Sequence, residues 1–312
     1  MMDFAFGPNA RLLPWTRAIL PDHVVVEWPG PITAPRTENN GRDDDVGYDW
    51  ISFTTDYGLS DGFVAACHGV IARFAPGVRM IDVTHAVPPQ RLQWGAAVLA
   101  QTVPYLPPSV HLAVVDPGVG TDRRPIVVVT DAGVLVGPDN GLLLPAAEAL
   151  GGVRSAYLLA APDYRLSTVS ATFHGRDIFA PAAAHLAVGV APERFGPPID
   201  PDSLARLRAP EICAVPGELS SEVLTVDRFG NIQLAATATD LAAAGLRRGD
   251  HVTIRAEGAV VPATVAHTFA DVRSGELLVV IDSADHVAVA VNCGSAVERL
   301  GEADRLSVAR RR

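Results

Sequence analysis

Apolar residues in this chain fall in short runs, and most runs end on a polar, glycine-punctuated turn. Trp50–Thr54, Met80–Val83, Val110–Val115, Ile126–Val129 with Val134–Val136, and Leu166–Ala171 have the β-branched character and length of strands. Between them, Asp61–Phe74 and Leu92–Val103 carry small and apolar residues at helical spacing. The first of these has an acidic start that suits a helix N-terminus. Thr172–Gly189 reads as a turn leading into an Ala-rich buried helix. Strands alternating with helices predict a layered α/β domain with a mainly parallel sheet.

The pattern then changes. Pro192–Pro216 is rich in Pro without sustained periodicity and reads as a linker. Beyond it, Glu222–Val226, Asn231–Leu234, His251–Ile254, Ala259–Val265, Glu276–Ile281 and His286–Val291 are short strands separated by turn signals. They predict a small C-terminal all-β domain, a barrel or sandwich. Residues 1–46 differ in kind: scattered Pro and Gly, then the polar, acidic stretch Thr37–Asp45. They lack the basic start, apolar centre and small-residue cleavage site of a signal peptide, and read as a non-catalytic extension. The expected organisation is therefore an extension over 1–46, an α/β catalytic domain over 47–191, a linker over 192–216 and a β domain over 217–306.

Composition narrows the function. A chain of 312 residues, 48% of them hydrophobic, has enough material for two domains and a large core. No apolar run approaches the ~18–20 residues of a membrane span. A formal net charge of −10 disfavours a nucleic-acid partner, whose binding is driven by clustered cations. All 25 basic residues are Arg, which removes Schiff-base and P-loop lysine chemistry. GxGxxG and Gly-x-Ser-x-Gly are also absent, against a Rossmann dinucleotide site and an α/β-hydrolase. Cys67, Cys213 and Cys293 are too far apart in sequence for a CxxC site and odd in number, so they read as free thiols of a reducing cytoplasm.

The candidate chemistry sits on the turns. They are Thr55-Asp56-Tyr57-Gly58 through Asp61, Asp116–Arg123, Pro138-Asp139-Asn140-Gly141 and Thr172–Asp177. Ligands bind at the carboxyl ends of strands in open α/β sheets, so four such ends predict one shared site. Asp116 can orient a water, Arg123 can hold that Asp ionised or stabilise a hydroxide-like species, and His174 can steer a proton near neutral pH. The plainer alternative has Asp116 closing its own turn against Arg123 while His174 caps the next helix. Asp56 and Asp61 suit paired hydroxyls or an ammonium group, with an N-cap as the alternative for Asp61. Asp139 and Asn140 fit a plain turn. A carboxylate-rich metal site from Asp56, Asp61, Asp116, Asp139 and His174 lacks any HxH, HExxH or close acidic pair and is disfavoured. His85, His111, His185, His251 and His267 read as packed or surface histidines.

Taken together, these motifs resemble the S-adenosylmethionine hydroxide adenosyltransferases, hydrolytic relatives of fluorinase and chlorinase. The likeness runs from about Trp50 to Arg299. It also includes Asp227-Arg228-Phe229-Gly230-Asn231 and Thr268-Phe269-Ala270-Asp271. The resemblance implies attack of an activated water on the ribose C5′ of S-adenosyl-L-methionine, releasing methionine and forming adenosine, with no cofactor and no metal. It assigns water activation to Asp116, Arg123 and His174, the ribose hydroxyls to Asp56, and the methionine end to Asp61, Asp227 and Ser283. Phe173 joins the substrate pocket, Phe229 and Asn231 contact adenine, and the backbone near Cys293 reads its edge. It further implies a homotrimer with sites at subunit interfaces. Halide-using relatives carry Tyr-Ser where this chain has His174-Gly175, lack Asp116, have Thr at Val119 and hold an insertion after Arg124; all four differences point to water. Gln90 stands where they have an aromatic, with Trp94 one helical turn on, and Ala284 where they have Arg. Halide-dependent adenosyl transfer and non-catalytic binding of S-adenosylmethionine or adenosine are the alternatives.

Overall fold

The computed structural model describes residues 47–311; the extension read over 1–46 lies outside them. The first domain is a seven-stranded mixed sheet between two helical layers. Its strands are β1 (Trp50–Thr55), β2 (Arg79–Thr84), β3 (Ser109–Val114), β4 (Pro125–Val129), β5 (Gly133–Pro138), β6 (Ser155–Leu158) and β7 (Pro198–Ile199). They lie in the order β2-β1-β3-β5-β4-β6-β7. The four strands β2, β1, β3 and β5 run parallel, and β4, β6 and β7 continue the sheet antiparallel.

Helices α1 (Phe63–Phe74) and α4 (Ala180–Ala187) cover one face, α2 (Leu92–Thr102) and α3 (Leu144–Ala149) the other. Helix α1 buries Val64, Cys67, Val70 and Ile71, one stripe at 3.6-residue period, against Ile51 and Phe53 of β1. Along β3 and its end, Val110, Leu112 and Val114 point to that layer, while Ala113 and Val115 point to α2. Every residue of β3 and β5 is buried, because a sheet covered on both faces leaves no polar side. Continuous apolar runs are the result.

Leu166–Ala171 is not a strand. The Leu166 N–H donates to the Asp177 carbonyl and the Ser170 N–H to the Asp177 carboxylate, while Ser167, Thr168, Val169 and Ala171 are exposed to solvent, so the segment needs no sheet neighbour. The stretch read as a linker is structured too. It carries β7, which pairs with β6, and a strand β8 (Ile212–Val215), with Phe195 and Leu204 buried.

The second domain is a closed barrel of seven strands: β9 (Glu218–Val226), β10 (Ile232–Thr237), β11 (His251–Ala256), β12 (Ala259–Val265), β13 (Leu277–Ile281), β14 (His286–Val291) and β15 (Arg305–Arg310). The ring runs β9-β10-β14-β13-β12-β11-β15 and returns to β9. The first half of β9 pairs β15 on one side and β8 on the other; its second half pairs β10, which closes the ring. Helices α5 (Ala238–Ala243) and α6 (Ala296–Leu300) plug the barrel with Leu241 and Leu300. Strand β15 was not among the six expected from the sequence; its buried Leu306 and Val308 alternate within an Arg-rich stretch. Gln101 of α2 and Gln233 of β10 exchange hydrogen bonds across the two domains (3.0 and 3.4 Å). Among the described residues, no helix is long and apolar enough to cross a membrane.

Candidate active site

Strand β1 is flanked by β2, which follows it, and by β3, reached after α2, so the winding reverses at β1. A crevice opens at the carboxyl ends of strands at such a reversal. Asp56 follows β1 and Asp116 follows β3, so the topology brings two of the expected carboxylates to it.

Asp116 and Arg123 form a bidentate ion pair across their own loop. Arg123 Nε donates to both carboxylate oxygens at 3.0 Å, and Nη2 donates to Oδ2 at 2.6 Å. Both side chains are largely withdrawn from solvent, at 9% and 6% exposure, which removes most of the screening an exposed pair would suffer. The same Nη2 lies 2.6 Å from His174 Nδ1. A guanidinium only donates, so Nδ1 is the acceptor and the imidazole carries its proton on Nε2. Burial, then the Arg123 charge, pushes the His174 pKa below its ordinary value, partly offset by Asp116 and Asp177. Geometry and charge thus agree on a neutral His174 with Nε2–H free to point at a ligand.

The trio is held by its surroundings. Gly120 has φ +78°, and a Cβ there would sit 2.5 Å from the Ala171 carbonyl oxygen, so only glycine lets the Asp116 loop approach the turn that carries His174. Asp177, fully buried, binds Arg176 and the Ser170 N–H and fixes that turn from behind. His174 precedes a π-turn over Gly175–Phe179 but makes no capping hydrogen bond. The plain alternative is therefore half right: Asp116 does pair with Arg123, yet His174 turns to Arg123 rather than to a helix end.

Tyr57 is the residue that sequence reasoning passed over, although it stands inside the Asp56-Tyr57-Gly58 motif. Its ring packs edge-on to Phe173 (5.7 Å), which itself meets Phe63 at 5.2 Å, and its hydroxyl occupies the space a side chain at Gly175 would need. Burial, and the neighbouring Cys67, Asp56 and Asp116, hold the phenol well above its ordinary pKa, so it stays protonated. Asp56 accepts the Gln90 N–H (3.0 Å), with Gln90 in a left-handed conformation (φ 64°). Asp61 is exposed and does not cap α1.

The other residues divide. Asp139 is a structural lock, pairing with Arg124 and accepting the Ala205 N–H, while Asn140 donates to the Val115 carbonyl. Asp116 and Asp139 each carry a guanidinium where the five-residue metal site would need a cation. In the barrel, the Asp227 carboxylate accepts the Phe229 and Asn231 N–H groups and the Asn231 side-chain amide, closing its own turn and leaving Phe229 74% exposed. Cys293 is exposed in a left-handed turn after β14 (φ 58°). Asp227, Asn231 and Ser283 line a crevice of about 830 Å³ together with Trp94, Gln101 and Phe269. Asp56, Asp116, Arg123 and His174 do not line it. Within one chain, the barrel residues and the trio thus belong to two different surfaces.

Residues 51–196 match the model of the SAM hydroxide adenosyltransferase N-terminal domain, and residues 221–307 that of the SAM hydroxide adenosyltransferase C-terminal domain. An (R)-S-adenosyl-L-methionine hydrolase of Salinispora tropica is 58% identical over 261 residues, 83% of this chain and 97% of that protein. A fluorinase of an Actinoplanes species is more distant, 27% identical over 270 residues, 78% of this chain and 90% of its own. The crystal structure of a conserved protein from Thermotoga maritima, 37% identical, superposes with a TM-score of 0.77 over 83% of this chain and all of that one.

Proposed function

The chain belongs to the S-adenosylmethionine hydroxide adenosyltransferase family, and we propose that it hydrolyses S-adenosyl-L-methionine through the Asp116–Arg123–His174 trio. The protein is an enzyme, an (R)-S-adenosyl-L-methionine hydrolase forming adenosine and L-methionine. The observation that carries the residue assignment is Arg123 Nη2 bridging the Asp116 carboxylate and His174 Nδ1, at 2.6 Å to each.

A sulfonium leaves as a neutral thioether, so the leaving group needs no acid. Catalysis rests on setting one water in line behind C5′ in a site shielded from bulk solvent. His174 Nε2–H donates to the water oxygen and aims a lone pair at C5′. Arg123 stabilises the hydroxide-like charge that builds on that oxygen as its proton leaves, and the oxygen lone pair then forms the C5′–O bond while the C5′–S pair passes to sulfur. Asp116, the anion of the trio, accepts the proton the water sheds. Asp56 holds the ribose hydroxyls and Phe173 lines the pocket beside Tyr57. No step of this scheme calls for a metal or cofactor. Filling the space beside Gly175 with Tyr57 leaves no room for the hydroxyl that halide-using relatives carry there, which supports water over halide.

We also assign Asp61, Asp227, Phe229, Asn231, Ser283 and the Cys293 backbone to substrate binding, the barrel residues acting on a neighbouring copy's trio in a homotrimer. Their separation from the trio within one chain and the exposure of Phe229 support that arrangement. Light scattering of the purified protein tests it. The buried thiol of Cys67 and the unpaired Cys213 and Cys293 fit a reducing cytoplasm. Incubation with S-adenosylmethionine in ¹⁸O-water, with and without chloride or fluoride, tests the chemistry. Adenosine labelled at its 5′-hydroxyl plus equimolar methionine in every buffer is the expected result. A 5′-halo-5′-deoxyadenosine would restore the halide reading, and bound ligand without product would make the protein a sensor.

A further inference from the structure

We infer that a divalent transition metal of the zinc class binds between α1 and β2, held by His68 Nε2, Asp82 Oδ1 and His85 Nε2. The three donor atoms lie within 4.8 Å of one another. Asp82 Oδ1 is 2.9 Å from His68 Nε2 and 3.1 Å from His85 Nε2. Zinc bonds of ~2.0–2.2 Å to such donors put neighbouring ligand atoms a little over 3 Å apart, so the cluster opens only slightly to admit the ion.

His85 is the telling member. It is 5% exposed, and its Nε2 is buried without a hydrogen-bond partner, the neighbouring Asp82 oxygen lying off the hydrogen-bond direction. A buried imidazole nitrogen without a partner is costly unless something fills its lone-pair direction. The other nitrogen, Nδ1, is 2.9 Å from Thr55 Oγ1. A proton on Nδ1 donated to that oxygen leaves Nε2 as a bare lone pair, the tautomer and outer hydrogen bond that metal-binding histidines carry. His68 and Asp82 are one-third to two-fifths exposed, so the site has an entrance and room for a water ligand. Two imidazoles and one carboxylate suit zinc and its neighbours rather than magnesium or calcium, which take oxygen donors.

The placement gives the ion a task apart from the reaction. His85 also accepts the Gly58 N–H through its backbone carbonyl (2.7 Å), and Thr55 accepts the Tyr57 N–H. A metal at His85 would tie α1, β2 and the Asp56–Gly58 loop to one point, stiffening the base of that loop. The inference stands independently of the hydrolase reading.

The test uses the untagged full-length chain, stripped with chelator and titrated with Co²⁺, then Zn²⁺. We expect one Co²⁺ per chain with visible d–d absorption, displaced by Zn²⁺, and a Tm that Zn²⁺ raises. His68→Gln, at a half-buried surface position, should weaken Co²⁺ binding at least about tenfold and abolish the Tm rise; Thr55→Val should weaken it about 10–100-fold. Asp82→Asn gives a second ligand variant should either of these fail to fold. Wild-type binding no tighter than that of His68→Gln, or a Zn²⁺-dependent Tm rise that His68→Gln retains, overturns the site.

Discussion

Gly175 offers the sharpest test of how the site is built. A Cβ placed there would lie 2.0 Å from Tyr57 Oη, 3.0 Å from Cζ and 3.3 Å from Cε2. The Tyr57 ring cannot simply swing aside, because Phe63 and Phe173 hold it at 6.0 and 5.7 Å. Gly175→Ala therefore overpacks the space that the Tyr57 hydroxyl fills, a class of change that costs about 1–3 kcal/mol. With an unfolding entropy of about 2.1 cal/mol/K per residue, a chain of this length then loses roughly 1.5–5 °C in Tm. Removing the Tyr57 hydroxyl takes away the worst contact and leaves one at 3.0 Å, so Gly175→Ala in a Tyr57→Phe background should cost less than about 1 kcal/mol. Urea unfolding of the four proteins in this double-mutant cycle measures the coupling, and adenosine release reports on the site. Equal cost of Gly175→Ala in both backgrounds, or none in either, would refute the claim that Tyr57 occupies this space.

Further tests address the trio and the core. Asp116→Asn and His174→Ala should each lower kcat by about 10²–10⁴ while changing S-adenosylmethionine affinity little, seen by steady-state assay beside calorimetry. Near-normal turnover in either would remove that residue from water activation. Because His174 works as the neutral imidazole and its pKa lies below the ordinary value, kcat should hold down to about pH 6.5 and fall only below it. A fall in kcat already above about pH 7 would contradict the Arg123–Nδ1 contact, which disfavours the imidazolium. His111, buried and 2.8 Å from Ser52 Oγ, has its pKa pushed by burial down to about 4. The unfolded chain then takes up its proton first, so this group's stabilisation is complete above about pH 6.5 and is lost as pH falls towards 4, about 3 kcal/mol in all. Urea midpoints at pH 7 and 4.5 should show a smaller acid loss in His111→Gln than in wild type; equal losses would exclude His111 as a source.

The α/β alternation and the trio were legible because both are written locally. Runs such as Val110–Val115 are buried on both faces and apolar but for His111, and the turns after them carry their chemistry within a few residues. Strands β6, β7 and β8 are short pieces at or beside a sheet edge that depend on a partner, and Leu166–Ala171 looks like a strand yet ties amides of its backbone to Asp177. No local pattern separates those cases. Tyr57 was invisible as a site residue because its role is set by the missing Cβ of Gly175, which lies far along the chain. The His68–Asp82–His85 cluster was missed for a similar reason: His68 comes from α1 and the other two from β2 and its end, so no short motif joins them. Asp227, Asn231 and Ser283 stand on barrel turns whose motifs are local, but their gathering on one crevice apart from the trio is a product of the fold that no turn motif carries.

The barrel's closing seam has a consequence for the protein's birth. Strand β9 pairs with β15, and Ser220 and Arg305 on those strands are 85 residues apart. During synthesis, β9 emerges with its hairpin partner β8 and then waits for nearly the whole domain to be translated before its other edge is covered. Over that interval it presents an open row of amide groups, the kind of edge that captures other nascent chains. Slow codons downstream of β9 would prolong this exposure, and translation speed across the barrel should therefore govern soluble yield more than speed across the α/β domain.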